Sequence, residues 1–229
     1  MRMWQEATLR ALAERCRAHG VLLIADEVMT GFGRTGPLFA CERAGVAPDV
    51  LCLSKGITGG FLPLGATAVT DALFDGFLGD DRRRTLFHGH SYTANPLACA
   101  AALASLTLLR TPESAAARAR IERAHRRHLA ALATHPMVRA PRVLGTIAAL
   151  DVVEDGRAGY LAPIGRELAA YALHEGVLLR PLGDACYLLP PYCTTDDELA
   201  EAYGVIARFL DGARAPGATT TAGGVLDDA

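Results

Sequence analysis

Three charged residues stand directly after apolar runs, where a chain building a core normally avoids charge. Asp26 follows Val21-Leu22-Leu23-Ile24-Ala25, Lys55 follows Val50-Leu51-Cys52-Leu53-Ser54, and Arg180 follows Val177-Leu178-Leu179. A lysine amine can attack a carbonyl and then carry a proton. A carboxylate can face a ring nitrogen and hold it protonated. A guanidinium fork matches both oxygens of a substrate carboxylate. Runs of this kind read as strands buried on both faces, and open α/β sheets place ligands beyond the carboxyl ends of their strands. Each residue also has a plainer reading. Asp26 alone is a loop or helix-cap acid, Lys55 alone an exposed loop lysine, and Arg180 before Pro181 an ion-pair partner at a domain interface.

The elements that must position these groups follow from periodicity. Residues 5–19 carry Leu9, Leu12, Ala13 and Cys16 at helical spacing, with Gly20 placed as terminator. Strand Val21–Ala25 ends in Asp26-Glu27 and a glycine-rich loop, Thr30 to Gly36. A second strand, Asp49–Leu53, ends in Ser54-Lys55-Gly56, and a third covers Gly65–Val69. Short buried strands separated by helices and loops indicate an α/β sheet covered on both faces. The small-residue run from Asn95 to Leu109 predicts a closely packed helix leading towards a second domain, and residues 113–134 predict a more amphipathic one. Strand-like segments at 143–153 and 177–189, with helical periodicity at 164–175 and 195–211, describe a small α+β domain. From Ala213 onward the Gly-, Thr- and Ala-rich tail reads as disordered.

Composition excludes several function classes. Half of the 229 residues are apolar, enough for a core, and the net charge of −2 comes without a basic stripe. Arg82-Arg83-Arg84 is the one basic cluster of note, so neither a nucleic acid nor a membrane surface is the expected partner. No stretch reaches the roughly 18 apolar residues of a membrane span, and Glu6, Arg10 and Glu14 interrupt any secretory-signal core. The six cysteines form no CxxC pair and no metal-ligand spacing, which fits buried reduced thiols in a cytoplasmic protein. His88 and His90 flank Gly89 without a second ligand cluster, so no metal is expected.

The text around the charged residues decides between the readings. Val21 to Gly36 reads VLLIADEVMTGFGRTG, and Pro48 to Gly60 reads PDVLCLSKGITGG. These strings resemble the class III (ω-type) aminotransferases closely, with Asp-Glu, the GFGRTG loop, Pro-Asp and Lys-Gly in order and at the expected separation. The resemblance continues through FHGHSYTANPLACAAALASL (87–106) and LLRPLGDACYLLPPYC (178–193). It narrows towards the enzymes that aminate 8-amino-7-oxononanoate to 7,8-diaminononanoate in biotin synthesis.

The resemblance implies an α/β fold: part of the large domain of a fold-type I pyridoxal-phosphate-dependent transferase, plus a small C-terminal α+β domain. The expected boundaries are 1–108 for the large-domain portion, 109–213 for the small domain and 214–229 for the tail. The implied cofactor is pyridoxal 5'-phosphate, whose ring accepts a carbanion's electrons. Lys55 would bond covalently to its aldehyde carbon, Asp26 would pair with the pyridinium, and Ser91, or else Thr93, would bind its phosphate across a dimer interface. Arg180 would meet a substrate carboxylate. Tyr187 and Tyr192 are either residues of the substrate channel or packed strand aromatics. Gly31 to Gly36 would shape a tight loop beside the cofactor rather than cradle phosphate. The implied substrates are 8-amino-7-oxononanoate and an amino donor, S-adenosylmethionine or lysine, and the implied assembly is a homodimer. Where a well-known branch has Pro-Thr after His-Gly, this chain has His90-Ser91. The serine keeps a hydroxyl for the phosphate but leaves the donor open.

Chains of the family run to roughly twice this length, a large and a small domain together. Met1 therefore resembles an internal methionine, with the phosphate-holding helix start and the ring-stacking aromatic expected upstream. A chain so cut would expose a strand edge and an apolar face, and would be poorly soluble and close to inactive. Two other readings compete with the biotin-pathway reading: another ω-amino acid aminotransferase, and an inactive remnant serving as a structural or interaction piece.

Overall fold

The computed structural model describes residues 1–153 and 158–213. The chain forms two compact units. Of the described residues, the first holds Met1–Arg126, Arg142–Ala148 and Leu189–Thr194, and the second holds those within Arg127–Pro141, Ala149–Leu188 and Thr195–Ala213.

The first unit opens with α1 (Glu6–Ala18), whose acidic first turn and basic last turn complement the helix dipole. It ends before Gly20, which takes the left-handed φ of 63° that a residue with a Cβ resists. Arg10 Nε donates to the Ala44 carbonyl at 3.2 Å and Arg43 pairs with Glu6 at 2.9 Å, docking α1 on α2 (Ala40–Ala44). Strands β1 (Ile24–Asp26), β2 (Val50–Leu53) and β3 (Ala66–Val69) form a sheet in that order, β1 parallel and β3 antiparallel to β2. A short α3 (Asp71–Asp75) follows, then α4 (Pro96–Leu109). The Asn95 side chain caps α4 by accepting from the N–H groups of Leu97 and Ala98, with Pro96 in the first turn. Helix α5 (Pro112–Leu132) follows, of which Pro112–Arg126 belongs to this unit.

A second sheet holds β4 (Val138–Leu144), β5 (Ile147–Val152) and β6 (Ala185–Leu188), neighbours in that order, of which Val138–Pro141, Ala149–Val152 and all of β6 belong to the second unit. Two helices accompany them. On α6 (Ile164–His174), Ile164, Leu168 and Ala172 recur every four residues and are buried. On α7 (Asp196–Gly212), Leu199, Tyr203, Ile206 and Leu210 recur at spacings of four, three and four residues and are buried. Each such leucine or isoleucine contributes about 1.5–3 kcal/mol by leaving water. The start of α7 is a complete capping box. The Thr195 hydroxyl accepts from the Glu198 N–H, and the Glu198 carboxylate accepts from the Thr195 N–H at 2.7 Å. At the start of α6 the backbone of Gly183 approaches so closely that a Cβ on Gly165 would lie 2.0 Å from its oxygen.

Several expectations are corrected. The Val21–Ala25 run yields only a three-residue strand, and Val21, Leu22 and Ile24 are more than half exposed. An unbroken apolar run predicts burial only if other elements cover both faces. Here β1 is an edge strand, and β3, at the opposite edge, is exposed along its whole length. Helix α4 is packed on one side only, with Leu97, Leu103 and Leu108 exposed. The 143–153 segment is two strands, β4 and β5, broken by a turn at Gly145-Thr146 where Gly145 has φ 57°. Of 177–189, only Ala185–Leu188 is strand, beyond a lone bridge between Leu182 and Ala185. The tail beyond Ala213 lies outside the described residues. Among the described residues, no helix is long and apolar enough to cross a membrane.

Candidate functional site

The first unit sets the carboxyl ends of β1 and β2 side by side. Asp26 ends β1 in register with Cys52 of β2. The register is clamped one turn earlier, where Leu23 N–H donates to the Asp49 carboxylate at 2.8 Å and Asp49 N–H donates back to the Leu23 carbonyl at 2.9 Å. Beyond Asp26 the chain turns on Glu27, which is buried. Its carboxylate accepts from the Cys41 N–H at 2.8 Å and from the Thr30 hydroxyl at 2.5 Å, and its carbonyl accepts from Gly31 N–H at 2.9 Å. A Cβ on Gly31 would lie 2.8 Å from that carbonyl oxygen, which explains a glycine there. Asp26 itself is exposed and accepts from Val28 N–H at 3.0 Å.

Lys55 begins a single 3₁₀ turn, Lys55–Thr58, directly after β2. Its backbone takes φ 45°, a left-handed conformation that costs a non-glycine residue about 1–2 kcal/mol. The surroundings hold the turn. Ser54 Oγ donates to the Leu64 carbonyl at 2.8 Å and Thr58 Oγ1 to the Leu62 carbonyl at 2.6 Å. From α4, Ser105 Oγ donates to the Gly56 carbonyl at 3.3 Å. The lysine is exposed. A primary amine and a carboxylate thus stand at or just after the same end of two adjacent parallel strands.

The glycine-rich loop is pinned from the far end of the chain. Arg34 donates to Thr146 Oγ1 at 3.0 Å and to the Pro190 carbonyl at 2.8 Å, and it lies over the Tyr192 ring at 4.9 Å. Arg118 lies over the same ring at 5.7 Å. The Tyr192 hydroxyl donates to the Phe32 carbonyl at 2.9 Å. Burial pushes that phenol above its usual range, against the pull of the two guanidinium groups. Of the two readings offered for Tyr192, these contacts match a packed aromatic.

The other expected residues are placed as follows. Ser91 is exposed at the start of the turn 91–94, and Thr93 is engaged locally, its hydroxyl accepting from His90 N–H at 2.9 Å. Tyr187 lies half-buried in β6 of the second unit. Arg180 is also in the second unit, exposed, in a segment that is not a strand, so its expected place at a buried strand end is corrected. The run before it lacks a strand partner, and Leu178 is exposed. Asp26 and Lys55 therefore lie in one unit and Arg180 in the other. Among the described residues no group of three His, Cys, Asp or Glu side chains could hold a metal. Sequence reasoning missed Glu27 and Phe32. The Asp-Glu pair was visible, but only the buried hydrogen bonds of Glu27 separate its role from that of Asp26.

The family model described as "Aminotransferase class-III" matches residues 1–210. The adenosylmethionine-8-amino-7-oxononanoate aminotransferase of Synechococcus elongatus is 56% identical over 211 residues, covering 92% of this chain and 49% of that protein. The crystal structure of the like-named Methanocaldococcus jannaschii protein is 34% identical, with a TM-score of 0.79 over 87% of this chain and 49% of that one. A pyridoxal-phosphate-bound amine transaminase from an uncultivated Pseudomonas species is 37% identical, with a TM-score of 0.79 over 87% of this chain and 46% of that one. The chain spans about half the length of the relatives it matches.

Proposed function

Because this chain belongs to the class-III aminotransferases, pyridoxal-phosphate-dependent enzymes of fold-type I, we propose that it serves amino transfer to 8-amino-7-oxononanoate in biotin synthesis. The product would be 7,8-diaminononanoate, with S-adenosylmethionine or lysine as donor. Residues 1–108 are read as part of the cofactor-binding large domain and 109–213 as the small domain. The setting is cytoplasmic, and the working assembly is a homodimer, a reading supported by the exposed apolar side chains of α4 and β1.

The residues present fit the cofactor on the chemistry of their donors: an exposed amine and an exposed carboxylate at neighbouring parallel strand ends. That juxtaposition carries the proposal. Bound pyridoxal phosphate supplies an electron-accepting ring that stabilises a carbanion. Lys55 would hold the cofactor through its amine, and that amine would move the proton that amino transfer requires. Asp26 keeps the ring nitrogen protonated by placing a negative charge beside it. Ser91 donates its hydroxyl to the phosphate, and Arg180 orients a substrate carboxylate through its planar fork.

The test is transfer of a labelled amino group. With pyridoxal phosphate present, nitrogen-15 from labelled S-adenosylmethionine or lysine should appear in 7,8-diaminononanoate, and Lys55→Ala should abolish it. A second reading, an ω-amine transaminase of other specificity, is favoured by the likeness to the Pseudomonas amine transaminase. It predicts transfer between simple amines and keto acids with none to 8-amino-7-oxononanoate.

A further inference from the structure

Two non-glycine residues with left-handed backbone, Phe32 (φ 58°) and Lys55 (φ 45°), meet across a single glycine. Phe32 is buried, and its side chain fills the space where Gly56 lacks a Cβ. A Cβ built there would lie 2.9 Å from Phe32 Cβ and 3.1 Å from its ring. Phe32 is thus the wall against which the turn carrying Lys55 is pressed. What keeps Phe32 in its own strained conformation comes from 160 residues away, the hydroxyl of Tyr192 donating to its carbonyl at 2.9 Å. The phenol ring is held in turn by Arg34 and Arg118 at 4.9 and 5.7 Å. Phe39 packs edge-on against the Phe32 ring at 5.7 Å. Strained backbone persists only where its surroundings over-determine it, and it concentrates at functional sites.

We propose that Tyr192 is a positioning residue for Lys55, acting through Phe32. It touches neither substrate nor cofactor in this role. It fixes the loop whose aromatic ring sets the backbone of the lysine, and through it the direction in which the amine is presented. The inference rests on the reading of Lys55 as the cofactor lysine. It adds a residue from the far end of the chain, which that reading does not require.

The experiment compares the full chain with Tyr192→Phe and Phe32→Leu by amide hydrogen exchange, following residues 30–36, 54–58 and, as a check on folding, 147–152. Tyr192→Phe should speed exchange in both 30–36 and 54–58 by about tenfold, the effect of losing one buried hydrogen bond. Phe32→Leu keeps the backbone carbonyl that Tyr192 binds, so it should loosen 54–58 while leaving most protection in 30–36. Tyr192→Phe loosening 30–36 alone, or Phe32→Leu leaving 54–58 unchanged, would overturn the proposal. A pH titration of the visible band formed with pyridoxal phosphate supplies a readout that a merely structural tether would not move. The midpoint should shift in Tyr192→Phe relative to wild type, and an unshifted midpoint counts against positioning. If the wild type forms no such band on Lys55, the proposed function fails, while the exchange data still decide whether Tyr192 and the Lys55 turn are coupled.

Discussion

Leu23 and Asp49 are joined by two reciprocal hydrogen bonds of 2.8 and 2.9 Å, and this pair fixes the register that sets Asp26 beside Cys52 and so near the turn of Lys55. The clamp is short, and the strands it aligns are only three and four residues long. Asp49→Ala leaves the Leu23 N–H without its side-chain acceptor. It should cost about 1–3 kcal/mol in urea unfolding at low protein concentration. Faster exchange at residues 23–27 should accompany the loss. Unchanged exchange there would show that the backbone bonds alone hold the register.

Strand β1 has one partner among the described strands, and its Val21, Leu22 and Ile24 neighbourhood is 56, 54 and 63% exposed. Unpaired apolar edges template association. The chain alone should therefore run on gel filtration as a self-associated species, and Ile24→Lys should reduce that association. A monodisperse monomer insensitive to this substitution would contradict the prediction.

Burial, reinforced by the nearby Glu27 carboxylate, pushes the Cys41 thiol up to about 11, and burial pushes Cys186 up to about 12. At pH 8 the thiolate fraction of either is then ~0.1% or less. Cys193 is exposed. A thiol reagent at pH 8 should label Cys193 first and leave Cys41 and Cys186 unmodified until the chain unfolds. Peptide mapping by mass spectrometry checks the order, and early labelling of Cys41 would mean that the Glu27 loop opens readily.

Thr195→Ala removes the capping box of α7 and should destabilise the second unit by about 0.5–2 kcal/mol. Residues 30–36 and 54–58 belong to the first unit, and their exchange should not change. Thermal unfolding and hydrogen exchange together test both halves of the statement.

The helices were legible because their signals are local. Gly20 ends α1, Asn95-Pro96 starts α4, and Thr195 with Glu198 starts α7, each within a few residues of the pattern it bounds. The strands were less so. Val21-Leu22-Leu23 carries the composition of a buried strand, yet pairing and cover, which composition does not specify, decide whether it becomes one. Arg180 was misplaced for the same reason. The Asp26 and Lys55 motifs were readable as text, but the left-handed backbone of Lys55 was not, because no glycine marks it. The Tyr192 to Phe32 bond was equally hidden, since it joins a side chain to a backbone carbonyl 160 residues away. Glu27 stood in plain view beside Asp26 and only burial tells the two apart.

The proposed role of the Lys55 amine is to hold the cofactor. Pyridoxal phosphate added to the purified chain, followed by borohydride reduction and peptide mapping, tests it most directly. A visible absorbance band and a reduced pyridoxyl adduct on Lys55 are expected, with neither in Lys55→Ala. An adduct spread over other amines, or a band that survives Lys55→Ala, would contradict it.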